Sequence, residues 1–328
     1  MAPRRGGSTY GSSTCPGAFA STESQVYFAC VVIFFAVYIG ISISLCVVRK
    51  KHGTGRRLLG APYMLALLFM LVGYAIELSA TVLLECNTVV RSSYYALAIA
   101  MTVFYYLAYW ILLFIVVYTL NTMLREHLGS SSSTLKIVLL AIVGVMFAVT
   151  AAHIGITSYN LWTATDAGYS SNANFIIHPA ERLRTAWNVL YFLSVIAAGF
   201  FALMTLFAMR SRSQSGSGLL IWVIALIFSM AFWIIIGIVF AASYLTDDFN
   251  IITFETNASL TYVQSFFQAL SFIILLCIAR HGAWSKSAVP ASTVTPYAPV
   301  AQNQHTYAYN AGGQQDYYNQ APVYAGAK

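Results

Sequence analysis

Arg49-Lys50-Lys51-His52-Gly53-Thr54-Gly55-Arg56-Arg57 decides how the rest of the chain is read. Five of these nine residues are Lys or Arg, and a long apolar run stands on each side. Upstream, Val26 to Val48 carries no charge; downstream, Leu58 to Leu84 carries one, Glu77. Both runs exceed the roughly 20 residues that cross the hydrocarbon core of a bilayer. A short, strongly basic loop between two spans is retained on the cytoplasmic side. Arg49, Lys50, Lys51, Arg56 and Arg57 therefore set the topology, and the N-terminus is expected outside.

Working outward, five more apolar runs follow, for seven spans at about 26–48, 60–84, 95–120, 136–158, 187–209, 219–244 and 260–279. The expected fold class is all-α, a seven-transmembrane helix bundle with its C-terminus in the cytoplasm. Its parts are an outer disordered tail at 1–24, the bundle at 25–280 and a cytoplasmic disordered tail at 281–328. Charge supports the orientation. The loops placed inside hold the first five basic residues plus Arg125, Lys136, Arg210, Arg212, Arg280 and Lys286, eleven in all. The outer side has five: Arg4, Arg5, Arg91, Arg182 and Arg184.

Composition agrees. Of 328 residues, 59% are hydrophobic and 8% charged, where a soluble domain carries about 25%. That excludes the soluble-enzyme templates and makes the lipid bilayer the first partner. The net charge of +7 belongs to span ends, so a nucleic-acid partner is not expected. No apolar leader precedes the first span, which is read as an uncleaved anchor. The cytoplasmic tail is built of Ala, Tyr, Gln, Asn, Pro and Gly. It cannot bury enough apolar surface to fold and suits recruitment of cytoplasmic proteins.

Of five cysteines, Cys15 and Cys86 fall in segments placed outside, where a disulfide can form. They are the candidate pair, although connectivity is not readable from sequence. Asn257-Ala258-Ser259 is an N-x-Ser sequon in the outer loop before span 7, making Asn257 the candidate glycosylation site. Tyr27, Tyr63, Tyr94, Tyr95, Tyr159, Trp187, Tyr244, Tyr262 and Trp284 lie at or near span ends, as an interfacial aromatic belt requires. The longest loop, Tyr159 to Ala186, could lid the outer mouth or serve as a connector. No span interior contains proline, so the spans are expected straight.

Ionisable residues inside spans are costly and read as functional by default. Here they are Glu77 in span 2 and His153 in span 4. At 1.5 Å per residue both lie roughly 7–11 Å below the outer surface. Gln264 and Gln268 in span 7 share one helix face at a similar depth. Tyr105 and Tyr109 of span 3 and Asn188 of span 5 complete an outer-half polar set. An outward-facing ligand pocket and a structural glue between helices both account for these seven residues. No catalytic residues, metal ligands or cofactor motif stand out: there is no paired Asp, no phosphate cradle and no G-x-S-x-G.

Seven spans, an outer N-terminus and a disordered inner tail resemble the plan of G-protein-coupled receptors, over roughly residues 25–280. The residues that would be diagnostic depart from that family. Span 3 ends Asn121-Thr122-Met123-Leu124-Arg125-Glu126, span 6 lacks proline, span 7 lacks Asn-Pro-x-x-Tyr, and span 7 has no lysine for a retinal Schiff base. The chain also looks like fungal orphan seven-helix membrane proteins with Tyr/Gln-rich tails. Gly73-Tyr74 faintly echoes a lipid-translocating family. The resemblance implies a plasma-membrane, receptor-like protein sensing an extracellular or lipid-borne ligand, with a G protein among its cytoplasmic partners. A tail-dependent membrane scaffold and a lipid or solute transporter are the other readings.

Overall fold

The computed structural model describes Phe19 and residues 21–49, 54–86, 91–129, 133–166, 174–211, 217–245 and 254–285. Residues 1–287 form one compact unit; a second unit, Ala288–Lys328, lies outside the described residues, as do Lys50, Lys51 and Cys15. Among the described residues there are helices and turns and no strand. Helix α1 is Thr22–Arg49, and α2 is Ala61–Glu85. Helix α3 starts as Arg91–Phe114, widens into a π-helical turn at Ile115–Leu120 and ends as Asn121–His127. Then come α4 (Ser133–Asp166), α5 (Asn174–Ser211), α6 (Ser217–Leu245) and α7 (Phe254–Arg280). Seven helices are thus long and apolar enough to cross a membrane.

Each helix packs on the next in chain order, and α7 returns to α1 to close the ring. Helix α3 leans inward and also meets α5. The outer wall is apolar: Ile33, Ile43, Leu68, Ile137, Val145, Leu193, Phe207, Ile221 and Phe228 are all exposed. A band this continuous suits acyl chains rather than water. Two apolar grooves of about 480 and 510 Å³ belong to it, one between α4 and α5, the other between α2 and α3.

Helix ends and apolar runs do not coincide. Helix α5 begins at Asn174, thirteen residues before the apolar run expected from 187, and α4 continues to Asp166. The expected long loop is therefore largely helical. Hydropathy marks what lipid tolerates, whereas the helix continues through good helix formers, here with a Glu181–Arg184 ion pair at 3.7 Å. Pro179 lies inside α5 as its sixth residue, where it removes one N–H from the helix ladder. Asn257 likewise falls on the first turn of α7 rather than in a loop; its side chain is outside the described set.

The spans are not uniformly regular either. Asn121, fully buried, donates Nδ2–H toward the carbonyls of Val116 (3.1 Å), Val117 (3.1 Å) and Ala198 of α5 (3.3 Å). A π-turn leaves helix carbonyls without their usual donors, and this amide meets them. It also ties α3 to α5.

Tyr159 is exposed, but not every residue read as belt is. Tyr63, Trp187 and Trp284 are buried. Tyr63 donates to the Phe272 carbonyl at 3.0 Å, joining α2 to α7. Small residues also divide. A Cβ at Gly40 or Gly144 would meet nothing within 4 Å, so neither marks a close approach. A Cβ at Gly199 would fall 2.7 Å from Ile227 Cδ1, and one at Gly237 2.9 Å from Asn188 Oδ1.

The end of the bundle that carries the basic loop is latched by short elements. Thr54–Arg57 forms one 3₁₀ turn and Gly282–Ser285 another, and the two touch. The Ala279 carbonyl occupies the place a Cβ on Gly55 would take, so only glycine fits there. Trp284 donates to the Ile278 carbonyl at 2.7 Å and stacks edge-on to His127, with centroids 5.6 Å apart. Glu126 accepts from both Arg57 and Lys136, bringing the first loop to the start of α4.

Two paired substitutions test this account of the interior. Tyr63→Phe loses its bond to Phe272 and should cost about 1 kcal/mol. Tyr38→Phe removes a buried hydroxyl that has no partner among the described residues, so it should be neutral or stabilising; thermal unfolding of the purified protein reads both. Asn121→Leu removes the two N–H donors shared among the carbonyls of Val116, Val117 and Ala198 and should cost about 1–3 kcal/mol by the same measurement.

Candidate functional site

Polar side chains gather where α1 and α7 begin and α2 ends. Glu77 of α2 is the centre. Its Oε1 accepts from the Tyr27 hydroxyl of α1 at 2.6 Å, and its Oε2 from the Tyr105 hydroxyl of α3 at 2.5 Å. Tyr105 can reach because Gly73 makes room: a Cβ at Gly73 would sit 2.7 Å from the Tyr105 ring. One turn further along α3, Tyr109 donates to Gln268 Oε1 of α7 at 3.2 Å. Tyr105 and Tyr109 lie on one face at i, i+4, with rings stacked at 6.3 Å.

These groups surround a half-enclosed cavity of about 170 Å³, lined from α1, α2, α3 and α7. Five of the seven residues read from sequence line it: Glu77, Tyr105, Tyr109, Gln264 and Gln268. His153 and Asn188 do not. His153 is buried in α4 against the Tyr106 ring (4.4 Å) and stacked along Trp187 (6.5 Å), with Nδ1 lacking a partner among the described residues. The α3 face at Tyr106 and Tyr109 stands between it and the cavity. Asn188 of α5 donates to the carbonyls of Arg184 (3.0 Å) and Gly237 (3.4 Å), so it binds α5 to α6. Both serve as glue between helices.

Sequence reasoning missed other lining residues. Tyr27 and Tyr262 were assigned to the belt, yet both face the cavity. Cys30, Phe34 and Tyr74 join them. A signal existed on α7: Thr261, Gln264, Ser265 and Gln268 recur at i, i+3, i+4 and i+7, a polar stripe on one helix face. On α1 and α2 no such periodicity singles out Tyr27 or Tyr74.

Below the cavity, aromatic rings close the bundle. Tyr109 packs on Trp233 at 5.1 Å and Trp187 at 6.5 Å, and Trp233 on Tyr191 at 5.2 Å. Tyr191 donates to the Tyr109 carbonyl at 3.0 Å, and Trp187 to Thr150 Oγ1 at 2.8 Å. These rings form a floor to the pocket, and buried polar groups beyond it, Ser229, Ser271 and Asn121, direct their donors to helix carbonyls.

Near the mouth, the Phe19 N–H donates to Glu85 Oε2 at 3.0 Å, and its ring packs on Phe28 at 4.7 Å. Cys86, just past α2, is disulfide-bonded. Cys30, Cys46 and Cys277 are free. Among the described residues no group of three or more His, Cys, Asp or Glu converges as metal ligands. The chain matches no protein-family model, no curated protein and no solved structure.

Gly73→Ala places a methyl group against the Tyr105 ring. It should displace Tyr105 from Glu77 and lower stability by about 1–3 kcal/mol. Thermal unfolding measures the loss, and Gly144→Ala, at an open position, is the control expected to change little.

Proposed function

We propose that this chain is a receptor-like, non-enzymatic protein of the plasma membrane that binds a small ligand in the Glu77 cavity. The observation that carries the reading is the cavity itself: one carboxylate, held from two sides by tyrosine hydroxyls, above an aromatic floor. A helix-to-helix glue alone would fill its own space, as Asn188 and His153 do. This site instead leaves a volume comparable to the engineered cavities of about 150 Å³ that hold one benzene.

The route to the other end is α7. Its first half supplies Gln264, Ser265 and Gln268 to the cavity. Its last turn supplies the Ile278 and Ala279 carbonyls that engage Trp284 and Gly55. A ligand that moves α7 therefore bears on the basic loop. With the basic loop facing the cytoplasm, the cavity opens outside and the latch faces cytoplasmic partners, a G protein among them.

Complementation tests this. A strain lacking the gene is complemented with wild type or with Cys30→Trp, which fills the cavity from α1. Ser265→Trp fills it independently from α7. Both should reach the surface at near wild-type levels yet fail to restore the phenotype. Full rescue by either cavity-filled protein would sink the ligand-site reading.

A further inference from the structure

We infer that the Glu77 cavity takes a small organic cation of the alkylammonium class, with Glu77 as counter-charge and tyrosine rings as walls. The inference rests on the ligand-site reading above and adds the chemistry of the ligand.

Charge comes first. A carboxylate offers about four lone-pair sites. Two of those at Glu77 are met by Tyr27 and Tyr105, and both donors are neutral phenols. The ion pairs among the described residues are Arg57–Glu126, Lys136–Glu126 and Arg184–Glu181, and Glu77 is in none of them. No Lys, Arg or His is among the cavity's described lining residues. A half-buried carboxylate with no cation beside it among the described residues favours a ligand that brings one.

The walls point the same way. Tyr27, Tyr74, Tyr105, Tyr262 and Phe34 line the space around Glu77. Tyr74 stands edge-on to Tyr105 at 5.4 Å and Phe34 lies along Tyr74 at 6.4 Å, so these three rings form one connected wall, and Tyr27 and Tyr262 line the rest of the space. Aromatic faces attract cations, and aromatic walls suit methylated or alkylated ammonium groups. A bare divalent ion instead asks for six or more oxygen ligands, several of them carboxylates, and the site has one. An anion would meet Glu77 unfavourably. A neutral apolar guest would leave its remaining lone pairs without partners.

Size completes the argument. About 170 Å³ falls below the roughly 300–1,000 Å³ typical of drug-sized ligands. It admits a molecule of about six to eight heavy atoms, judged against benzene in about 150 Å³. Choline is of that size, and 3,3-dimethylbutanol is its uncharged isostere.

Cys30 reports occupancy from inside the cavity. With Cys46→Ser and Cys277→Ser in the full chain, it is the one remaining cysteine of the three that are free. Its labelling by a small maleimide is followed in nanodiscs while choline or 3,3-dimethylbutanol is added. Millimolar choline should slow labelling at least threefold and raise the unfolding temperature of the otherwise unaltered protein, while the isostere does neither. Glu77→Gln should abolish the protection. Equal effects from both compounds, no effect from either, or protection that survives Glu77→Gln would each overturn the proposal. The isostere comparison needs no Glu77 variant, so it stands if Glu77→Gln fails to fold. Loss of rescue by Cys30→Trp together with no choline effect would remove the cation and leave the ligand site. Choline protection with full rescue would uphold the cation site and remove the receptor reading.

Discussion

Helices with apolar outer walls gain little by hiding those walls from one another when the surroundings are equally apolar. What holds them is close packing and the need to satisfy each polar group from within. In this chain α3 is the helix that meets the most neighbours in this way. Tyr105 bonds α2, Tyr109 bonds α7 and receives Tyr191 of α5, Trp110 donates to the Val143 carbonyl of α4 at 3.2 Å, and Asn121 bonds the Ala198 carbonyl of α5. The Tyr109 ring rests on Trp233 of α6. Helix α1 is reached at one remove, through Tyr27 and Glu77.

The same arrangement explains why a cavity survives around Glu77. Along most of α3, aromatic side chains meet aromatic side chains and fill the centre. Around Glu77 the rings of Tyr27 and Tyr105 are held back by their own hydroxyl bonds, and apart from Tyr262 the α7 side chains opposite are short or narrow: Thr261, Gln264, Ser265 and Gln268. At the basic-loop end, large residues return, and Trp284 and Leu58 are buried against the last turn of α7 and its neighbours.

How much of this was legible in the sequence depends on the direction asked about. Depth along each helix is what apolar runs and rise per residue give an expectation for. Glu77, His153, Gln264 and Asn188 were placed at similar heights on that basis. Direction around each helix was not legible. His153 turns toward Tyr106 and Trp187, Asn188 toward Gly237, and Glu77 toward the cavity. An amphipathic soluble helix reveals its inner face by its polar residues. A helix apolar on all sides does not, which is why Tyr27, Tyr63, Trp187 and Tyr262 read as belt residues.

The sequence by itself determined the class and the count: seven apolar helices, all-α, with basic residues concentrated in one loop. Those properties follow from local composition, since a lipid-exposed backbone must bond within its own helix. Only the tertiary structure decided which polar residues share a space and which serve as glue. It also decided that helices outrun their apolar segments, and that the Asn121 side chain bonds the carbonyls of a π-turn just before it. Those outcomes depend on which faces meet, and facing is a property of packed helices that no single segment encodes.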